Sequence, residues 1–179
     1  MRPQLAFWQR ATVAVAVAGA LALPALPAAA SARTVSASHQ VTNSALAACH
    51  TSRPHTGTIL QSEIRGGLGQ MVIKNHLSRD AVIELVRGKS KAVGVYVRAH
   101  ATTTVRNIKP GWYTVYFTSG SLFKACTGRF TSGAAYYRVK KHLYFDFPPH
   151  YDIWTLTLVF VKGGNAPTSP IPPKSFPAP

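Results

Sequence analysis

Acidic side chains are scarce: five Asp and Glu stand against 20 Lys and Arg in 179 residues. A glycosidase needs two carboxylates about 5–9 Å apart, and the only candidates are Glu63, Asp80, Glu84, Asp146 and Asp152. Asp80 and Glu84 are four apart, so on a strand they share a face. The simpler reading is that Asp80 caps a turn and Glu84 is a solvated strand residue paired with a nearby Lys or Arg. Cysteine is rarer still, with Cys49 and Cys126 alone, neither in a nucleophile context. There is no G-x-S-x-G elbow, no Walker loop and no GxGxxG; Gly66-Gly67-Leu68-Gly69 is glycine-rich but no helix follows it. Beyond the first 32 residues no apolar run reaches the roughly 18 residues of a membrane span. No stretch carries a capped helical period. An enzyme is therefore not expected, nor a cofactor, nor a transmembrane segment in the mature chain.

What is present begins with Met1–Ala32, which reads as a secretory signal peptide. A cationic start (Arg2, Arg10) precedes an apolar run over Ala11–Leu23, and Ala28-Ala29-Ala30 and Ala30-Ser31-Ala32 both fit an A-x-A cleavage pattern. Twin arginines are absent, which favours general secretion over export of a folded protein. The leader holds two of the 20 basic residues and none of the five acidic ones, so a processed chain carries 18 against five, a net +13. That field favours anionic partners such as phosphate-rich wall polymers, acidic lipid headgroups, extracellular nucleic acid or acidic glycans, with no specific nucleic acid expected. Outside the cytoplasm two cysteines usually pair, so a Cys49–Cys126 disulfide is expected. Leu46-Ala47-Ala48-Cys49 matches a lipoprotein acylation motif, but the 13 mostly polar residues Arg33–Ala45 separate it from the apolar run. The mature chain should be soluble, secreted and unacylated, associating with the envelope only through its surface.

Residues 33–56 are rich in Ser, Thr, Ala and His without sustained period and read as a flexible arm. From Gly57 to Asn165 short apolar runs alternate with turn residues: Gln70–Asn75, Ala81–Arg87, Ala92–Arg98, Thr102–Ile108, Trp112–Thr118, a strand around Tyr136–Val139, His142–Phe147 and Ile153–Val161. Thr102–Ile108 reads as an edge or one-sided strand. This spacing predicts an all-β domain, an antiparallel Ig-like or transthyretin-like β-sandwich of seven to eight strands. Ala166–Pro179, with prolines at 167, 170, 172, 173, 177 and 179, is expected to be an exposed, disordered, polyproline-like tail.

The run Ile108-Lys109-Pro110-Gly111-Trp112-Tyr113-Thr114-Val115-Tyr116-Phe117 resembles the late hairpin of transthyretin-like and carboxypeptidase-regulatory-like sandwiches. A longer stretch is similar to a group of uncharacterised secreted actinobacterial β-sandwich proteins. It runs through Asp80-Ala81-Val82, Val95-Tyr96-Val97-Arg98-Ala99, Gly111–Phe117, Trp154–Leu158 and Gly163-Gly164-Asn165-Ala166 to Phe176-Pro177. The resemblance implies the fold and export and adds no catalytic residue. His100 stands where that group often has Gly, so the turn after Arg98-Ala99 is expected to be built differently.

Three clusters are candidates for function. Trp112, Tyr116, Tyr137, Tyr144 and Tyr151 are candidates for a sugar-stacking platform; Trp112 and Tyr116 lie opposite Tyr113, Val115 and Phe117, and if the latter three are core, the former two are exposed and can stack on sugars. Arg138, Lys140 and Lys141 form the tightest basic group. His142, Asp146, His150 and Asp152 flank the Pro148-Pro149 turn and are weak candidates for a metal site. The preferred expectation is a secreted, monomeric, non-enzymatic binding module drawn to anionic envelope or extracellular polymers. A carbohydrate-binding module using the exposed aromatics is the alternative. A hydrolase or metal-dependent enzyme comes last and requires the His and Asp cluster to converge in a pocket.

Overall fold

The computed structural model describes residues 4–14, 49–63, 66–159 and 166–177. The strands are β1 (Gln4–Ala14), β2 (Thr51–Ser52), β3 (Thr58–Ser62), β4 (Gly69–Asn75), β5 (Asp80–Arg87) and β6 (Ser90–Val97). They continue as β7 (Thr102–Ile108), β8 (Gly111–Lys124), β9 (Arg129–Val139), β10 (Leu143–Phe145), β11 (His150–Val159) and β12 (Thr168–Pro170). One 3₁₀ turn, Pro173–Ser175, follows. Among the described residues no helix is long and apolar enough to cross a membrane.

Two sheets face each other. One runs β1-β11-β4-β7 and the other β12-β9-β8-β5-β6-β3, with β2 and β10 also paired to β8. The pairing is antiparallel except where β4 and β11 run parallel. The expected all-β sandwich is thus the fold. Alternation explains it: Ile83 and Leu85 of β5, Val93 and Val95 of β6, and Tyr113, Val115 and Phe117 of β8 point inward, meeting Met71 and Ile73 of β4 and Leu156 and Leu158 of β11. β7 is an edge strand, as its Thr-rich outer positions predict.

The opposite face of the larger sheet carries a second apolar cluster of Val82, Tyr96, Phe123, Phe130, Tyr136 and Phe176. Phe176 belongs to the segment expected to be disordered, and that expectation is corrected. β12 pairs with β9 as an edge strand, the Ile171 amide donates to the Tyr136 carbonyl, and the Phe176 ring lies 5.4 Å from that of Tyr136. Prolines are compatible with a sheet edge, where one side of the backbone needs no partner. The two apolar anchors between them, Ile171 and Phe176, supply the burial.

The arm also differs from expectation over its last eight residues. A disulfide joins Cys49 to Cys126 with Cα atoms 5.9 Å apart, β2 pairs with the end of β8, and Arg98 donates to the Pro54 and Arg53 carbonyls. Residues 15–48, with both expected cleavage points and the rest of the arm, lie outside the described residues. Within the expected leader, the backbone of β1 pairs with β11 from Gln4 opposite Val159 to Ala14 opposite His150. The turn after Ala99 keeps a backbone that glycine adopts readily: His100 has φ 56°.

Candidate functional site

The first half of β8 positions the aromatic candidates. Tyr113, Val115 and Phe117 are buried, and Trp112 on the opposite face is 63% exposed. β10 places Tyr144 directly across from Trp112, and the two rings pack with centroids 4.9 Å apart and planes tilted by 44°. The next outward residue, Thr114, hydrogen-bonds His142 through Nδ1 at 3.0 Å. Further along, Tyr116 is opposite Arg138 of β9 and packs against the second apolar cluster. It is therefore half-buried rather than freely exposed. Four residues of strand separate Trp112 from Tyr116 by about 13 Å, so the ring that pairs with Trp112 is the half-buried Tyr144, one of the expected aromatic candidates, while Tyr137 is buried against Phe117.

Arg138 and Lys140 are exposed, and strand parity places both on the outer face of β9 with Tyr136. Lys141 turns away to Trp154, its Nζ 5.6 Å from the ring centroid. At the Trp112 end of the sandwich a hollow of about 400 Å³ is lined by Glu63, Arg87, Ser90, Lys91 and Lys109. The Arg87 guanidinium lies beside Gly111, where a Cβ would stand 3.2 Å from its Nε. This cationic hollow thus adjoins the residue preceding Trp112.

The weak metal candidates do not converge. Asp152 is buried and accepts the Asp146 amide at 2.8 Å, Asp146 accepts the amide of Phe147, and His142 faces Thr114 while His150 is exposed at the start of β11. Among the described residues no group of three His, Cys, Asp or Glu could hold a metal ion. The two carboxylates are short side chains committed to backbone amides around the turn, and the imidazoles fall on separate elements.

Asp80 and Glu84 do share the outer face of β5, but neither has the expected environment. Asp80 accepts four hydrogen bonds, from Arg53 Nε and Nη2 at 2.8 and 3.0 Å, the Tyr96 hydroxyl at 2.6 Å and the Ala99 amide at 2.8 Å. Burial alone raises its carboxyl, but these bonds outweigh burial and hold it at about 2. The same contacts push the Arg53 guanidinium and the Tyr96 hydroxyl upward, in Tyr96 with burial as the largest cause. Glu84, expected to be solvated, is fully buried, and neither carboxylate oxygen has a hydrogen-bond partner. Burial pushes it up to about 8 against a weaker opposing pull from Lys91. Its carboxyl fills the space over Gly94, where a Cβ would collide with both oxygens. The mid-strand glycine in Ala92-Val93-Gly94-Val95 was the available signal. A carboxyl sealed in this way reaches no substrate.

No family model, no curated protein and no solved structure matches the chain.

Proposed function

We propose that the processed chain is a secreted, non-enzymatic binding module for an anionic polysaccharide, with the Trp112–Tyr144 pair as its sugar platform. One observation carries the reading. A tryptophan 63% exposed is held against a second aromatic ring, on the same face of β8 as Tyr116, which sits opposite the exposed Arg138 of β9. Leaving so large an apolar surface in water costs the fold and is repaid by a ligand that stacks on it. A sugar ring supplies the stacking partner, and its carboxylate or phosphate substituents meet the cations. Arg138 and Lys140 extend the positive face along β9.

The test is retention of the processed chain on purified cell wall, teichoic acid and a carboxylated polysaccharide at low and physiological salt. Trp112→Ala should weaken retention about tenfold or more at both salts, in line with about 1–3 kcal/mol for aromatic stacking. A second reading, attraction by charge alone, rests on the net +13 of the processed chain. It predicts retention that collapses at physiological salt and ignores Trp112→Ala. Wild-type behaviour by that pattern would sink the platform.

A further inference from the structure

At the other end of β8 lies a cleft of about 390 Å³. Three segments wall it: Ser52 and Arg53 of the disulfide-held arm, Ser78 and Arg79 before β5, and Gly120–Phe123 of β8. It stays open because of the backbone. The β8–β9 register shifts between Ser119 and Ser121. Leu122 then takes φ 56° and stands 59% exposed at the rim instead of filling the floor. A bulky residue held in the left-handed region is an uncommon expense in a fold and clusters at functional sites.

The chemistry of the cleft follows from what is already committed. Asp80 at its wall has its carboxylate oxygens occupied by Arg53, Tyr96 and Ala99, so its charge is matched and it offers nothing to a cation. Arg53 spends Nε and Nη2 on Asp80, and Arg79 spends one Nη1 bond on the Gly133 carbonyl at 2.7 Å. A guanidinium carries five N–H donors, so both retain donors, and the hydroxyls of Ser52, Ser78 and Ser121 line the same space. Two arginines against one aspartate leave a net positive cleft rich in donors. The Arg53 fork is already filled by Asp80, so a planar carboxylate would find a bidentate partner in Arg79 alone and would leave the donors of the other walls unused. Donors arriving from three non-coplanar segments suit a tetrahedral oxyanion.

We infer that this cleft is a phosphate-binding site, taking a phosphate group either free or carried on a polymer. It is separate from the aromatic platform, since the ten residues from Trp112 to Leu122 span roughly 30 Å of strand, and it does not rest on that reading. The experiment follows backbone amide shifts of the full chain by NMR at constant ionic strength. The probes are inorganic phosphate, poly(glycerol phosphate) and acetate. Arg79→Gln removes a cleft donor without touching the Asp80 bonds, and Lys74→Gln removes one charge from the exposed face of β4 as a control. Saturable shifts at Ser78, Gly120 and Ser121 are expected with phosphate and not with acetate. Arg79→Gln should weaken them about tenfold or more, and Lys74→Gln should change them less than about twofold. Binding of the polymer but not the free ion assigns the site to polymer phosphate, and the reverse to a small ligand. Equal weakening by both variants, or no saturation with either phosphate probe, overturns the proposal. Trp112→Ala should leave these shifts intact whatever it does to polysaccharide retention.

Discussion

Asp80 and Glu84 occupy the same face of one strand and respond to pH in opposite directions. Asp80 is held at about 2 in the folded chain, so its stabilisation is present above its ordinary value of 3.8 and is lost as pH falls toward 2. Glu84 is raised from 4.5 to about 8. Between those values the folded chain keeps a proton that the unfolded chain has released, so stability falls as pH rises through this window. Together they place the stability maximum between about pH 4 and 5. From pH 5 to 8 the wild type should lose on the order of 3 kcal/mol from Glu84. Glu84→Gln should flatten that decline and be the more stable protein at pH 8 but not at pH 5, as read by urea unfolding at each pH. A wild-type profile flat over this window would show that the carboxyl has a partner. Neither environment was legible from spacing: i, i+4 placed the two on one face, but what covers that face is set by residues far away in the chain.

At the level of elements, legibility follows the period of the pattern. β5, β6 and β7 match the expected runs to within a residue or two because each is clearly marked as a run of apolar or β-branched residues bounded by a turn, with Gly88 at φ 61° between β5 and β6. β8 alternates as clearly, so Phe117→Ala should cost on the order of 3–5 kcal/mol and Trp112→Ala much less. Melting temperatures of the two variants check this, and the reverse order would place the strand one residue out of register. β8 and β9 run longer than read, because Ser119–Ser121 and Thr131–Ala134 are small or polar and carry no apolar alternation. The tail was misread for a different reason. Proline content signals extended backbone, but docking depends on Ile171 and Phe176, two residues in a segment whose composition is otherwise that of a linker. Phe176→Ala should therefore release the tail at a cost of about 2–3 kcal/mol and open Lys174 to trypsin. If Lys174 stays resistant, the β12–β9 pairing, Ile171 and the Arg129 hydrogen bond to the Pro173 carbonyl hold the segment without Phe176.

On the scale of the whole molecule, the Cys49–Cys126 bond ties the arm to the sandwich across 77 residues of sequence. Closing a loop of that length removes about 4 kcal/mol of chain entropy from the unfolded state. Its local effect reaches further, because it delivers Arg53 to Asp80 and so completes one wall of the phosphate cleft. The two-residue β2 ladder is too short to hold the arm against its own entropy, given the cost of ordering about eight residues. In the Cys49→Ser/Cys126→Ser double variant the chain should unfold about 2–4 kcal/mol more easily. Amide exchange should rise across Cys49–Thr56 while β5 and β8 stay protected. With Arg53 released, Asp80 keeps only the Tyr96 and Ala99 bonds, so burial gains on them and its carboxyl rises. The acid limb of the stability profile should then move to higher pH than in the wild type. Phosphate should bind the double variant more weakly than the disulfide-bonded chain, with Arg79 the remaining cation of the cleft. An unchanged acid limb together with protected arm amides would mean that the Arg53–Asp80 pair holds the arm without the disulfide, and the covalent tie would then matter only to the unfolded chain.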